Sequence, residues 1–359
     1  MKLSHCADKI VAFGCKPLPK EIDLMIKVTR MGLAALIAAF AGTLCAVAPV
    51  AHAQLVKIDG SSTVFPISEA MAEDFQRSKK GSVRVTVGIS GTGGGFKKFC
   101  RGETDISDAS RPILRKEMDD CKAAGVQYIE LPVAYDALTV VIHPDNTWAQ
   151  TLTVAELSKI WEAGAQGKVK TWKQVNSAWP DQPLKLFGPG ADSGTFDYFT
   201  EAVNGKAKSS RGDFTASEDD NVLVQGVSRD VNALGYFGFA YYVENKDKLR
   251  AVMIAEKAGP GVEPSFQTVI NGTYRPLSRP IFIYINSKSL ARPEVKEFVE
   301  FYMKSAPVLV REVKYVPLPA KAYAYNIEHI NKKVLGTKFA GENKVGLTIE
   351  QLMQLESKL

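Results

Sequence analysis

Residues 55–75, LVKIDGSSTVFPISEAMAEDF, contain the unit from which the fold is read. Leu55–Ile58 reads as a short strand. Ile67, Ala70, Met71 and Phe75 then recur at i, i+3, i+4 and i+8, along one helix face. Between them lies the turn Asp59–Pro66, rich in hydroxyls and closed by a proline, which suits a first helical turn because it has no N–H. The pattern returns twice. Val83, Val85 and Val87 alternate as a strand before Ser90–Gly95 (SGTGGG), and Phe96, Phe99 and Cys100 follow as a helical stripe. Leu184–Phe187 reads as a strand before Asp192–Thr195 (DSGT), with Phe196, Phe199 and Val203 marking the next helix. Strands alternating with helices predict an α/β fold with covered sheets. Gln127–Leu131, Ala137–His143 and Ile281–Ile285 read as further strands. Val154–Trp161 reads as a helix, with Thr153 and Glu156 as a capping box. Pro293–Met303 and Thr348–Leu359 read as helices, the second capped by Thr348.

The first 53 residues carry a different message. Lys27 and Arg30 precede an apolar run from Met31 to Val50 that ends in Ala51-His52-Ala53, the pattern of a cleaved secretory signal. Cys45 follows Leu44 rather than a small residue, which argues against lipidation. No other stretch approaches the ~20 apolar residues of a membrane span. Cleavage after Ala53 leaves 306 residues, a size that suits two domains. The chain carries a formal charge of +6, and losing six Lys/Arg and three Asp/Glu with the leader reduces it to +3. The basic residues are scattered, so nucleic acid and membrane surfaces are poor partners. Cys100 and Cys121 remain as an even pair in an exported chain, which predicts one disulfide, two buried thiols being the alternative.

Each turn brings hydroxyls and N–H groups to a helix N-terminus, a setting that suits an acceptor-rich anion. Ser62, Thr63 and Val64 supply the first set, Ser90 and Thr92 the second, and Ser193, Gly194 and Thr195 the third. Plain N-capping is the simpler role for any one of them. Asp192 can accept a proton from a ligand or cap its helix. A fourth loop, Asp105–Ile113 (DISDASRPI), adds the Ser110 hydroxyl and the planar fork of Arg111. Catalysis has little support. The chain beyond the leader holds two histidines, His143 and His329, there is no G-x-S-x-G elbow, and the glycine run does not fit G-x-x-x-x-G-K-[ST]. No His or Cys stands at metal-ligand spacing, so neither a metal nor another cofactor is expected.

The order DGSSTVFP, SGTGGGFKKF, DISDASRPI and GPGADSGTFDYF, followed by ALGYFGFAYY within Gly226–Tyr242, resembles the periplasmic phosphate-binding proteins of high-affinity ABC uptake systems. The resemblance implies a two-lobed clamshell, type II among solute-binding proteins, whose hinge is crossed twice. Lobe 1 would combine 54–141 with 282–359, and lobe 2 would be 142–281. The implied protein is a periplasmic monomer that captures inorganic phosphate and hands it to permease subunits. Sulfate or molybdate binding is the alternative within that class, and a secreted phosphatase the alternative outside it. The chain departs from the family twice. Better-known members have an acidic residue where Ser110 stands, and an arginine four residues before the Ser of S-G-T, where this chain has Pro189. Arg111 is expected to replace that guanidinium, and Asp192, Asp108 and Asp59 are candidates for accepting the phosphate proton.

Overall fold

Tyr128–Ile142 forms a single fifteen-residue strand, buried along its whole length, in the computed structural model. The structure describes residues 54–356, so the leader expected over residues 1–53 lies outside the described residues. This strand, β4, was expected as two strands, Gln127–Leu131 and Ala137–His143. It runs on because β4 absorbs the irregularity itself, with one bulged residue. Phe282 pairs with Pro132 and Ile281 with Ala134, so a bulge skips Val133 where proline has no N–H to offer.

The preceding elements are β1 (Gln54–Gly60), α1 (Phe65–Ser78), β2 (Val83–Ile89), α2 (Gly91–Cys100), β3 (Ile106–Ala109) and α3 (Arg115–Ala123). After β4 come β5 (Thr151–Thr153), α4 (Val154–Trp161), β6 (Lys185–Pro189), α5 (Gly194–Asn204), β7 (Thr215–Ser217), α6 (Asp220–Val227) and β8 (Ala233–Gly238). The last part holds β9 (Arg250–Ala251), β10 (Met253–Ala255), β11 (Ser278–Asn286), α7 (Pro293–Glu312), β12 (Val316–Pro317), α8 (Ala320–Lys332) and α9 (Ile349–Glu356), with short helices between some of them. The capping box at α4 forms as expected: Thr153 Oγ1 accepts from the Glu156 N–H at 3.1 Å, and the Glu156 carboxylate accepts from the Thr153 N–H at 2.9 Å. Helix α7 passes the expected end at Met303 and continues through Pro307. Leu309 and Val310 extend its buried face, which offsets the hydrogen bond that proline removes.

The main sheet runs in the order β2, β1, β3, β11, β4, β8, β6, β7. Strands β2, β1 and β3 are parallel, β11 and β4 are antiparallel to their neighbours, and β8, β6 and β7 are again parallel to one another. Up to Ala137, β4 pairs with β11. From Leu138 it pairs with β8, and near its end also with β9. The change of partner falls between Ala137 and Leu138 on β4, and Ser278, which pairs with Ala137, is the first residue of β11. All nine residues of β11 are buried, like those of β4, as expected of strands covered on both faces. Helix α1 closes one side by packing Phe75 against Phe298 and Phe301 of α7, with ring centroids 5.2 and 5.4 Å apart. Burying a ring of this size contributes about 1.5–3 kcal/mol.

Candidate functional site

The turn after β1 holds its shape through Gly60. At φ +147° its Cα lies so close to β3 that a Cβ would meet the Asp108 carbonyl oxygen at 2.2 Å. The chain then enters α1 through Val64, whose N–H bonds the Ser61 carbonyl at 3.2 Å. No side chain caps this helix. The buried Thr63 hydroxyl therefore stays off its own helix and lies 3.0 Å from the Thr195 hydroxyl. In the next unit, Thr92 stands in the first turn of α2. Its hydroxyl lies 3.1 Å from that of Ser110 and also accepts from the Ser110 N–H at 3.1 Å. Ser110, Thr92 and Thr63 are all buried.

Helix α5 faces these groups with its N-terminus. Ser193 caps it, accepting from the Thr195 N–H at 3.1 Å. Gly194 is packed so tightly that a Cβ would lie 2.5 Å from Thr92 Oγ1 and 2.6 Å from Ser110 Oγ. The first turn of α5 thus presses onto the hydroxyls of α2 and the β3 loop, where its dipole favours negative charge. Two hydrogen bonds to backbone carbonyls hold this arrangement. The Gly93 N–H donates to the Asp192 carbonyl at 2.8 Å, and the Tyr241 hydroxyl donates to the Ser62 carbonyl at 3.1 Å. A surface cavity of about 520 Å³, lined by Met118, Tyr128 and Leu335 among others, shares no residue with this cluster.

Two arginines are buried here. Arg111 donates from Nε to Asp197 at 2.6 Å, from Nη1 and Nη2 to the two Glu117 oxygens at 2.8 Å each, and from Nη1 to the Pro112 carbonyl at 3.0 Å. Burial alone would lower its pKa, but Glu117 and Asp197 reverse this and hold it above the usual arginine value. Arg279 was not anticipated from the sequence. It lies on β11, fully buried, with Nη2 donating to Thr195 Oγ1 at 2.7 Å and Nη1 to the Gly194 carbonyl at 2.9 Å. Thr63 Oγ1 is 3.5 Å from Nη2, and one Asp136 oxygen is 3.3 Å away. Here desolvation outweighs Asp136, and the pKa is lowered.

The structure therefore brings together Thr63, Thr92, Ser110, Gly194 and Thr195, with Ser193 as their helix cap. Ser62 and Val64 adjoin them, and the Val64 N–H is already bonded. Three other expected residues face elsewhere. The Ser90 hydroxyl donates to Asp59. The Asp192 carboxylate pairs with Lys97 at 2.8 Å on the half-exposed rim. The guanidinium of Arg111 is occupied by carboxylates. The acceptor candidates are engaged too: Asp59 by Ser90 and Lys98, and Asp108 by the Ser68 hydroxyl at 2.9 Å. Cys100 and Cys121 are bonded to each other, tying the end of α2 to α3, which carries Glu117. One sequence signal pointed to Arg279: the tetrapeptide Ser-Arg-Pro-Ile occurs at 110–113 and again at 278–281.

A model of the PBP superfamily domain matches residues 46–306. Over 306 residues the chain is 54% identical to protein SphX of Synechococcus elongatus, covering 85% of this chain and 90% of that one. It is 41% identical to the phosphate-binding protein PstS of Staphylococcus saprophyticus over 271 residues, 75% of this chain and 82% of that one. Among solved structures, a possible phosphate-binding protein from Planctomyces limnophilus shares 52% identity at a TM-score of 0.58, over 78% of this chain and 98% of that one. A protein of Clostridium perfringens, assigned as a phosphate ABC transporter substrate-binding protein and solved with bound phosphate, aligns at a TM-score of 0.63 and 28% identity, over 74% of this chain and 100% of that one. The helix-terminal hydroxyl cluster thus sits in a chain that belongs to the PBP superfamily and, within it, to the family of the SphX and PstS proteins.

Proposed function

We propose that the protein captures inorganic phosphate outside the cytoplasm, between two lobes, and delivers it to the membrane permease of an ABC transporter. The lobes are 54–141 with 282–359, and 142–281, with β4 and β11 as the strands that cross between them. The observation that carries this reading is the meeting of four hydroxyls, those of Thr63, Thr92, Ser110 and Thr195, at the N-terminal turn of α5. Donors of this kind at a helix terminus suit a tetrahedral oxyanion. The names of the relatives favour phosphate among such anions. In this reading Thr63, Thr92, Ser110, Gly194 and Thr195 hold the anion, and Ser193 shapes the turn that presents the last two.

The protein is a carrier and not a catalyst in this reading. Its PstS relatives are named as phosphate-binding proteins. His143 lies in a turn where its Nδ1 accepts from the Asp145 N–H at 3.1 Å. His329 is held near Lys338 and Glu356, and burial together with Lys338 lowers its pKa to about 4, so it is neutral at physiological pH. Micromolar binding needs about −8 kcal/mol. Several hydrogen bonds to a charged ligand at about 1.5–3 kcal/mol each, less the costs of desolvation and closure, reach that figure. Calorimetric titration with phosphate, sulfate and molybdate across pH 5–8 tests the reading. Phosphate is expected to bind at micromolar Kd or tighter, and more tightly than the other two. Absence of phosphate binding, or preference for sulfate or molybdate, overturns it.

A further inference from the structure

We propose that Arg279 is the guanidinium that contacts the bound phosphate and joins the two lobes around it, an assignment that rests on the phosphate reading above. Arg279 stands opposite Asp136, one residue pair before β4 leaves β11 for β8. From this crossing its Nη2 reaches Thr63, which follows β1, and Thr195, which belongs to α5. No other side chain of the cluster touches hydroxyls from both sides of the crossing through one nitrogen. The phosphate oxygens that replace the direct Thr63–Thr195 contact would lie beside that nitrogen.

The charge of Arg279 is incompletely balanced. Its carboxylate partner among the described residues, Asp136, approaches through one oxygen at 3.3 Å. Its buried Nε makes no hydrogen bond. A buried cation with a single loose ion pair carries much of its desolvation cost uncompensated. A dianion at the Thr63 and Thr195 hydroxyls supplies the missing charge, and a planar fork suits two oxygens of a tetrahedral anion. Arg111 offers no such opening, since Asp197, Glu117 and the Pro112 carbonyl already surround it. Arg279 therefore fills the role left open by Pro189, from the hinge rather than from the loop after β6. Because it meets both sides of the cleft, a ligand that engages it gains contacts in the closed form that an open cleft lacks, and this draws the lobes together.

The test is phosphate calorimetry on the whole exported chain, with the thermal midpoint and near-UV circular dichroism of each phosphate-free variant measured alongside. Asp136→Asn frees the guanidinium of its counter-charge and is expected to tighten phosphate binding about threefold. The double variant R279Q/D136N, which removes both charges together, is expected to weaken it by at least about 50-fold. If Arg279 served only to balance Asp136, the two variants would bind alike, and that result overturns the assignment. Should the double variant fail to fold, Arg279→Lys decides. Loss of the fork is expected to weaken binding at least about tenfold, and affinity within about threefold of wild type overturns the assignment. Wild-type protein that binds no phosphate would instead overturn the reading on which the assignment rests.

Discussion

Ser-Arg-Pro-Ile occurs twice in this chain, and the two arginines have opposite surroundings. At 110–113 the guanidinium is enclosed by a bidentate Glu117, by Asp197 and by a carbonyl. At 278–281 it meets two threonine hydroxyls, a carbonyl and one oxygen of Asp136. Carboxylates reverse the effect of burial on Arg111 and fail to do so on Arg279. The same four residues thus serve as a brace in one place and as an unsaturated cation in the other. The difference comes from what the topology sets beside them. The first copy follows β3 and packs on the flank of α5 where Asp197 stands. The second begins β11 and faces the tip of that same helix.

The sharpest way to break this comparison is Arg111→Ala. If Arg111 is a brace, its removal takes the main partner from the buried Asp197 and the half-buried Glu117 and lowers the stability of the phosphate-free protein by about 3–5 kcal/mol. Denaturant unfolding measures this. A loss below about 1 kcal/mol, combined with a collapse of phosphate affinity, would instead make Arg111 the ligand residue and invert the comparison. Replacing the three charged groups together, as R111M/E117Q/D197N, is expected to restore most of the lost stability, because no charge is then left unpaired.

A smaller effect is expected from the hydroxyls that Arg279 addresses. Thr195→Val keeps the shape and removes the hydrogen-bonding oxygen. It is expected to cost about 1.5–3 kcal/mol of phosphate binding, roughly 10- to 150-fold in Kd. Ser90→Ala is the contrasting case. Its hydroxyl points to Asp59, so it is expected to cost less affinity than Thr195→Val by at least about tenfold in Kd. Calorimetry on the two variants ranks them, and the reverse ranking would move the site toward Ser90.

Much of the fold was legible because it depends on local pattern. The strand, turn and helix order around Asp59–Pro66, Ser90–Gly95 and Asp192–Thr195 follows from periodicity and from which residues tolerate a helix start. The capping box at Thr153 forms as its spacing requires. Local pattern does not tell where a hydroxyl points. Ser90 and Thr92 looked equivalent in SGTGGG, yet one lies outside the first turn of α2 and finds Asp59, while the other lies within it and finds Ser110. Nor does it tell which carboxylates will meet an arginine, since Asp197 lies 86 residues beyond Arg111. The continuity of β4 past Pro132 was hidden for a similar reason, because the bulge that permits it, at Val133, is defined only by the pairing with β11. Arg279 was the one missed residue with a sequence trace, as the second copy of a tetrapeptide whose first copy drew attention.

The finest test concerns the buried acids that flank each copy. Asp108 lies in β3, opposite Ile283 of β11, and Asp220 opens α6. Burial raises the pKa of each to about 8, opposed at Asp108 by the Ser68 hydrogen bond and reinforced there by Asp59, and reinforced at Asp220 by Asp136. Both are therefore protonated in the folded protein at neutral pH and ionised in the unfolded chain. The unfolded state then binds fewer protons, so stability falls as pH rises toward 8. His329 acts in the opposite sense, but only between its folded value near 4 and its ordinary value near 6.5. In the window from pH 6.5 to 8 the two acids act alongside Glu356, whose pKa burial raises to about 7, so single variants assign the slope. Each contributes a decline of up to about 1.4 kcal/mol per pH unit there. Asp108→Asn is expected to flatten the unfolding free energy across that window by that amount, and Asp220→Asn likewise. If Asp108→Asn leaves the slope unchanged, Asp108 is ionised in the fold.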